Sequence, residues 1–365
     1  MKVVHITPTY FDTASVIGGG ERYPVELAVS MADQVDTTLV SFAATRRSYH
    51  QGKLKVELFP VDRFIYGNKV DPLTWRYLET VLRADVVHVH HLSTLVSGLA
   101  TFIGRSLGKR TFVTDYGGGT GWMKKLNSYL PILSIYQQAI VYSRYGLDFI
   151  PPHLQAQAVL IKGGINLQQF CPDPKLEKTH TILYVGRILP HKGINYLIEG
   201  FRQLNHPDYT LKILGRVYDD RYYQDLLQLA KDLAVEFIHD ADDQRLCQEY
   251  RSARVTVLPS VHTDCYGQYT PVPELMGFTL LESQACGTPV ICTNAGAMAE
   301  FVDPGRTGQV VEQNSPAAIA TALNYFLSLS PAQYRDCQIA CQEWMVPLSW
   351  PVVVQKHLEL YQGKA

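Results

Sequence analysis

The feature that most constrains this chain is a long series of short, continuous apolar runs, each followed by a helical stretch. The runs are Val3–Thr7, Thr37–Phe42, Lys55–Phe59, Val86–His90, Arg110–Asp115, Ala139–Ser143 and Ala158–Lys162, then Thr181–Gly186, Thr210–Gly215, Val235–His239, Val255–Pro259, Val290–Thr293 and Gly308–Val311. Strands with one wet face alternate polar and apolar residues; runs that stay apolar are expected of parallel strands covered on both faces. Between them, Ile194–Leu204 and Tyr222–Leu233 carry apolar residues at three- and four-residue spacing, as amphipathic helices do. Strict alternation of this kind predicts α/β architecture with doubly wound parallel sheets. Thirteen strands are too many for one ordinary sheet, and regularity lapses at Gly163-Gly164-Ile-Asn-Leu-Gln-Gln-Phe-Cys-Pro-Asp-Pro-Lys175, a stretch rich in turn formers. Two Rossmann-like domains are therefore expected, about 1–165 and 166–347. Ligands are expected at the carboxyl ends of the strands, in the cleft between the domains.

Composition removes several function classes. With 46 % hydrophobic and 18 % charged residues the chain is globular, and 365 residues suit two cores better than one. A formal net charge of −1 without a Lys/Arg tract argues against a nucleic-acid partner. The opening MKVVHITPTY reads as a first strand and not as a secretory leader, and no window approaches a membrane span. Seven scattered cysteines without CxxC pairs suggest reduced thiols and a cytoplasmic setting. Cys337 and Cys341 share a helix face and are read as helix packing; no metal is expected.

Three constellations could carry chemistry. Glu274-Leu-Met-Gly-Phe-Thr-Leu-Leu-Glu282 places two carboxylates around a glycine that opens a helix ended by Gly287-Thr-Pro289. The amides of Gly277, Phe278, Thr279 and Leu280 at such a terminus would face an anion, with Glu282 one turn in and Glu274 on the approaching loop. The bland alternative is two acidic residues complementing a helix dipole. Tyr184-Val-Gly186-Arg187-Ile-Leu-Pro-His-Lys192-Gly193 sets two cations five residues apart at a strand–helix junction, which suits a diphosphate held without a metal; ordinary surface charges are its alternative. Gly18-Gly19-Gly20-Glu21-Arg22 after the first strand permits close backbone approach to a ligand. It lacks GxGxxG spacing, and no acidic residue ends the second strand, so a nicotinamide dinucleotide is a poor fit.

Taken in order, GGGER, GRILPHKG, RVTVLPS (254–260), ELMGFTLLE, ACGTPV and the final Leu348-Ser-Trp350 with its helix resemble the retaining GT-B glycosyltransferases of family 4, over nearly the whole chain. The resemblance implies that 1–165 is an acceptor-binding domain, that 166–347 binds a nucleotide sugar, and that a helix over 348–365 packs back on the first domain. It implies that Arg187 and Lys192 hold the donor diphosphate, beside Gly186. Glu282 would bind the ribose hydroxyls and Glu274 the sugar hydroxyls. Gly277, Phe278, Thr279 and Leu280 would cap the phosphates, while Gly19 and Gly20 close on the donor. Departing charge on the diphosphate would then meet preorganised donors.

The chain departs from the family in two places. A histidine is common after a first-domain strand, in a T-x-H-G-like context; here the stretch reads Thr114-Asp115-Tyr116-Gly117-Gly118-Gly119. Asp115 and Tyr116 are therefore candidates for the reaction centre, with His88, His90 and His91 as alternatives. The loop Val261–Pro273, with His262, Asp264, Tyr266 and Tyr269, is longer than the compact family form and is expected to shape a sugar or acceptor pocket. Asp240-Ala-Asp242 imitates the D-x-D of metal-dependent transferases but precedes a helix, where an N-cap is the better reading. Trp122–Leu133 mixes basic and apolar groups; helix packing is preferred to peripheral contact at the inner membrane face.

The expected activity is metal-independent, retaining transfer of a hexose from a nucleoside-diphosphate sugar to a hydroxyl on a sugar, a lipid-linked or a small-molecule acceptor, without a cofactor. The alternatives are a nucleotide-sugar epimerase of GT-B architecture and a non-catalytic sugar-nucleotide-binding protein.

Overall fold

A computed structural model describes residues 1–10, 19–67, 71–116, 125, 136–204 and 206–364. Gly18, Gly117–Gly119 and, apart from Lys125, the basic–apolar stretch 122–133 lie outside the described residues. The chain divides into two compact units, Met1–Gly164 with Trp350–Ala365, and Ile165–Ser349.

In the first unit the strands are β1 (Lys2–Tyr10), β2 (Asp36–Ala43), β3 (Arg47–Gln51), β4 (Leu54–Pro60), the short β5 (Arg63–Phe64) and β6 (Pro72–Leu73), β7 (Val86–His90), β8 (Arg110–Thr114), β9 (Gln138–Val141) and β10 (Ala158–Leu160). Eight of these form one sheet in the order β10-β9-β8-β7-β1-β2-β4-β3; β5 and β6 pair separately. All the main pairings are parallel except β3 with β4, which run antiparallel at the edge. β3 reads Arg-Ser-Tyr-His-Gln and is exposed at every residue. It has no apolar run and escapes a hydrophobicity-based reading; its partner and its edge position make it a strand. The core lies where Ile6, Val40, Val87, Val89 and Val113 pack with Tyr77, Val81 and Val96.

The last helix, Trp350–Gln362, belongs to this unit. Trp350 Nε1 donates to Glu26 (2.9 Å), the Tyr361 hydroxyl pairs with His88 Nδ1, and Arg110 donates to the Tyr361 carbonyl.

The second unit holds β11 (Thr181–Val185), β12 (Thr210–Leu214), β13 (Val235–Ile238), β14 (Val255–Leu258), β15 (Val290–Thr293) and β16 (Gly308–Val311). Their order is β13-β12-β11-β14-β15-β16 and every pairing is parallel. This is the doubly wound order in which the winding reverses between β11 and β14, so the loops leaving those two strands flank the ligand crevice. Helix starts follow their local chemistry. Asp219, Ser315 and Ser330 each accept an amide of the first turn. Asp242 accepts from the Arg245 amide at 2.7 Å, so the D-x-D caps the helix Asp243–Ser252.

Candidate functional site

The loops after β11 and β14 carry the second unit's charges. After β11 come Gly186 and the exposed Arg187, whose guanidinium lies 5.6 Å from the Tyr218 ring, within cation–π range. A single 3-10 turn, Pro190–Lys192, then hands over to the helix Ile194–Arg202 through Gly193. Gly193 sits at φ 66°, and a Cβ there would overlap the Pro259 carbonyl. Only glycine allows the two loops to close so tightly. The Val261 amide, donating 2.8 Å to the His191 carbonyl, ties them together.

That contact delivers Lys192 to Glu274. Lys192 is buried, and its ammonium pairs with the Glu274 carboxylate while donating to the Pro273 carbonyl at 3.4 Å. Ser260, at the end of the β14 segment, donates to the same carboxylate oxygen at 3.2 Å. Glu274 is also fixed through its backbone, since its carbonyl accepts from the Ala297 amide at 3.0 Å. Neighbouring His191 is held neutral: burial, then the charge of Lys192, pushes its imidazole down to about 4.

Three residues on, Gly277 at φ 78° opens the eight-residue helix Phe278–Ala285. Thr279 turns its hydroxyl to the Val185 carbonyl (3.1 Å), anchoring the helix start to the end of β11. The Leu280 amide donates to the Gly277 carbonyl at 2.9 Å. Of the four amides expected to face an anion, Leu280's is engaged within this tight first turn. Glu282, one turn in, is buried and accepts from the Tyr250 hydroxyl at 2.8 Å. Tyr250 is wholly buried, and the Glu282 charge beside it reinforces the effect of burial in driving its phenol well above the usual range. The hydroxyl therefore stays protonated and donating. The two carboxylates thus have separate partners, a lysine and a serine for Glu274 and a tyrosine for Glu282. Ser260 and Tyr250 were not singled out in the sequence; neither belongs to a charged motif, and each reaches its glutamate only through the fold.

The first unit treats its polar groups differently. Its winding reverses between β1 and β7, and the helix Gly19–Ala32 follows β1. A Cβ on Gly20 would lie in ordinary contact with Tyr116, at 3.8 Å. His5 on β1 and His88 and His90 on β7 are fully buried, with one nitrogen of each within 4.8 Å of the others. Among the described residues they are the one cluster whose atoms could hold a metal ion. Their nitrogens are engaged, however. His5 pairs through Nδ1 with His90 Nε2 (3.0 Å) and through Nε2 with the Met31 sulfur (3.3 Å). His88 Nε2 pairs with Thr114 at 2.7 Å, and His90 Nδ1 with the Tyr116 hydroxyl at 2.6 Å.

A thioether sulfur only accepts, so His5 donates to Met31, His90 donates to His5, and Tyr116 donates to His90. The Tyr116 hydroxyl therefore points into this network and spends its proton there. Asp115 accepts from the Leu92 amide at 3.1 Å. His91 stands apart from the other two histidines of its segment: it is half-buried, with φ 74° and its ring 4.8 Å from that of Tyr116. Burial lowers its imidazole to about 4.

Elsewhere, Cys337 and Cys341 donate to the Arg306 and Thr307 carbonyls at 3.0 and 3.5 Å, as packed helix residues do. No helix among the described residues is long and apolar enough to cross a membrane.

Over its whole length the fold is that of GT-B glycosyltransferases. Anabaena HepE in complex with UDP and glucose superposes with a TM-score of 0.75 at 17 % identity, each chain covered completely. Sucrose-phosphate synthase from Thermosynechococcus elongatus gives 0.72 at 21 %, covering 99 % of this chain and 98 % of that one. Residues 168–343, nearly all of the second unit, match the family described as glycosyl transferases group 1.

A D-inositol 3-phosphate glycosyltransferase of Catenulispora acidiphila is 27 % identical over 222 residues, 55 % of this chain and 49 % of the relative. Glycogen synthase of Mycobacterium tuberculosis is 25 % identical over 296 residues, 76 % and 69 % respectively. The chain spans about half the length of the first of these, whose matched region falls well short of either whole protein.

Proposed function

We propose that the protein is a retaining, metal-independent hexosyltransferase that moves a sugar from a nucleoside-diphosphate donor to a hydroxyl acceptor, as family 4 enzymes do. The observation that carries this reading is the separation of partners around one helix start: Lys192 and Ser260 on Glu274, Tyr250 on Glu282. A diphosphate at Gly277–Thr279 would meet helix-terminal amides and the cations of Arg187 and Lys192. Glu282 would accept from the ribose hydroxyls, and Glu274 from hydroxyls of the sugar.

In the reaction the bond from the anomeric carbon to the diphosphate oxygen breaks while the acceptor oxygen bonds to that carbon on the same face. The acceptor proton passes to the departing phosphate oxygen, and Lys192 and Arg187 stabilise the charge that develops there. Glu274 already shares a proton-donating serine and a lysine, which suits a sugar-orienting group better than a nucleophile. By the family resemblance Gly19 and Gly20 would bind the donor, and Asp115 is the first-unit candidate for the reaction centre, since the Tyr116 hydroxyl is spent on His90. The acceptor would be a sugar, a lipid-linked or a small-molecule hydroxyl, and the setting the cytoplasm or the inner membrane face.

The test is incubation with UDP-, ADP- and GDP-hexoses, with and without EDTA, across sugar, inositol and lipid acceptors, followed by proton NMR of the product. An α-linked product formed from an α-donor in EDTA is expected. Conversion of the donor without an acceptor would favour the epimerase instead, and binding with neither hydrolysis nor transfer would favour a non-catalytic binding protein.

A further inference from the structure

The loop between β14 and Glu274 is built as a fixed element. Thr263 and Tyr269 pair as an antiparallel bridge. Within that turn the buried Asp264 carboxylate accepts from the Tyr266 and Gln268 amides, both at 2.9 Å. The turn is held from outside as well: Tyr266 donates to Asp225 under the Arg221 guanidinium, and Asn314 donates to the Thr263 carbonyl at 2.9 Å. Such a loop has already met its ordering cost before any ligand arrives.

His262 connects this loop to Glu274. Its Nδ1 pairs with the Thr270 carbonyl (3.1 Å), which can only accept, so Nδ1 carries the proton. Nε2 is then the acceptor, and it receives the Gly296 amide at 3.4 Å. Gly296, at φ 59°, packs so closely on the Glu274 backbone that a Cβ would overlap the Glu274 carbonyl. On its other side His262 stacks with Tyr269, the rings 18° from parallel with centroids 5.8 Å apart. Tyr269 is 64 % exposed. A large aromatic ring backed by a second ring, largely exposed, held by a bridged loop and tied through two residues to a carboxylate, is a prepared flat surface.

Accepting the donor reading above, we infer that Tyr269, held by His262, is a sugar-reading wall of the donor site: it stacks on the C–H face of the hexose whose hydroxyls Glu274 accepts, and so sets donor-sugar preference without contributing to diphosphate binding. Aromatic faces recognise such C–H surfaces by shape and dispersion, and the phenol hydroxyl is not required. His262 acts as a positioning residue through the Thr270 and Gly296 bonds.

The test is calorimetric titration of the full chain with UDP, ADP and GDP, and with UDP-glucose, ADP-glucose and GDP-mannose, for the wild type, Tyr269→Ala and Tyr269→Phe. Tyr269→Ala should bind the preferred nucleoside diphosphate as the wild type does but lose about tenfold in affinity for the matching sugar nucleotide; Tyr269→Phe should behave as the wild type. Unchanged diphosphate binding together with an unchanged gain from the sugar in Tyr269→Ala would overturn this inference alone. Equal weakening of both ligands would also overturn it, by showing a general loss of the site. A wild type that binds no nucleoside diphosphate would overturn the donor reading and this inference with it.

Discussion

The two units share one way of winding a parallel sheet yet use the reversal point oppositely. In the first, His5, His88 and His90 lie within β1 and β7, fully buried; His5 and His90 hydrogen-bond to each other and to Met31 and Tyr116, and His88 to Thr114 and Tyr361. In the second, Lys192, Glu274 and Arg187 stand on the loops beyond β11 and β14, with Glu282 on the helix that follows. The same topology therefore supports two chemistries, according to whether polar side chains sit inside the strands or past their carboxyl ends. Inside, they are desolvated and become neutral partners of each other. Beyond the ends they pair across loops, as Lys192 does with Glu274, and can exchange a protein partner for a ligand.

The largest effect should come from breaking the charged half of this contrast. Lys192→Ala removes the ammonium from Glu274 and from the proposed diphosphate, and should weaken nucleoside-diphosphate binding by about 100-fold, with a matching loss of turnover. Affinity and rate equal to the wild type would remove Lys192 from the site.

Acid should act on the neutral half. Burial, then His357, pushes His5 down to about 3; burial puts His91 and His357 at about 4, and His88 and His90 are lowered too. In the second unit His191 is the histidine with a resolved lowering. Because the unfolded histidine titrates near 6.5, the unfolded chain binds more protons below that pH. The stability contributed by neutral burial is complete above pH 6.5 and is lost as pH falls from there toward 4. For His5 alone the loss at pH 5 is about 2 kcal/mol. Hydrogen exchange at pH 7 and pH 5 should show β1 and β7 losing protection before β11 and β14; the reverse order would contradict the contrast.

Two smaller changes sharpen it further. Glu282→Ala should weaken nucleoside diphosphates by about tenfold and the matching 2′,3′-dideoxy analogue much less, if the carboxylate accepts from the ribose. Tyr250→Phe removes a single hydrogen bond to Glu282 and should cost roughly threefold in the same titration; a larger loss would mean Tyr250 positions Glu282 more than the 2.8 Å bond suggests.

Much of this arrangement is legible in the amino-acid sequence. Continuous apolar runs mark the strands of both units because parallel strands are buried on both faces. β3 escaped because Arg47–Gln51 is polar throughout and becomes a strand only by pairing with β4. The motif charges at 187, 192, 274 and 282 were legible because they stand in motifs whose order along the chain resembles the family's. Their partners Ser260 and Tyr250 were not, since an ordinary serine and tyrosine acquire roles only when distant segments meet. The three histidines of His88-Val-His-His91 could not be ranked from sequence. The two-residue strand period turns His88 and His90 to one buried face, while the positive φ of His91 sets it apart.

The central claim is that the second unit binds a nucleoside diphosphate at the start of the helix Phe278–Ala285. Calorimetric titration of the unmodified protein with UDP, ADP and GDP in EDTA tests it most directly. One of the three should bind at a single site, with an affinity that falls sharply in Lys192→Ala. No binding by any of them, or binding that survives Lys192→Ala unchanged, would contradict the account.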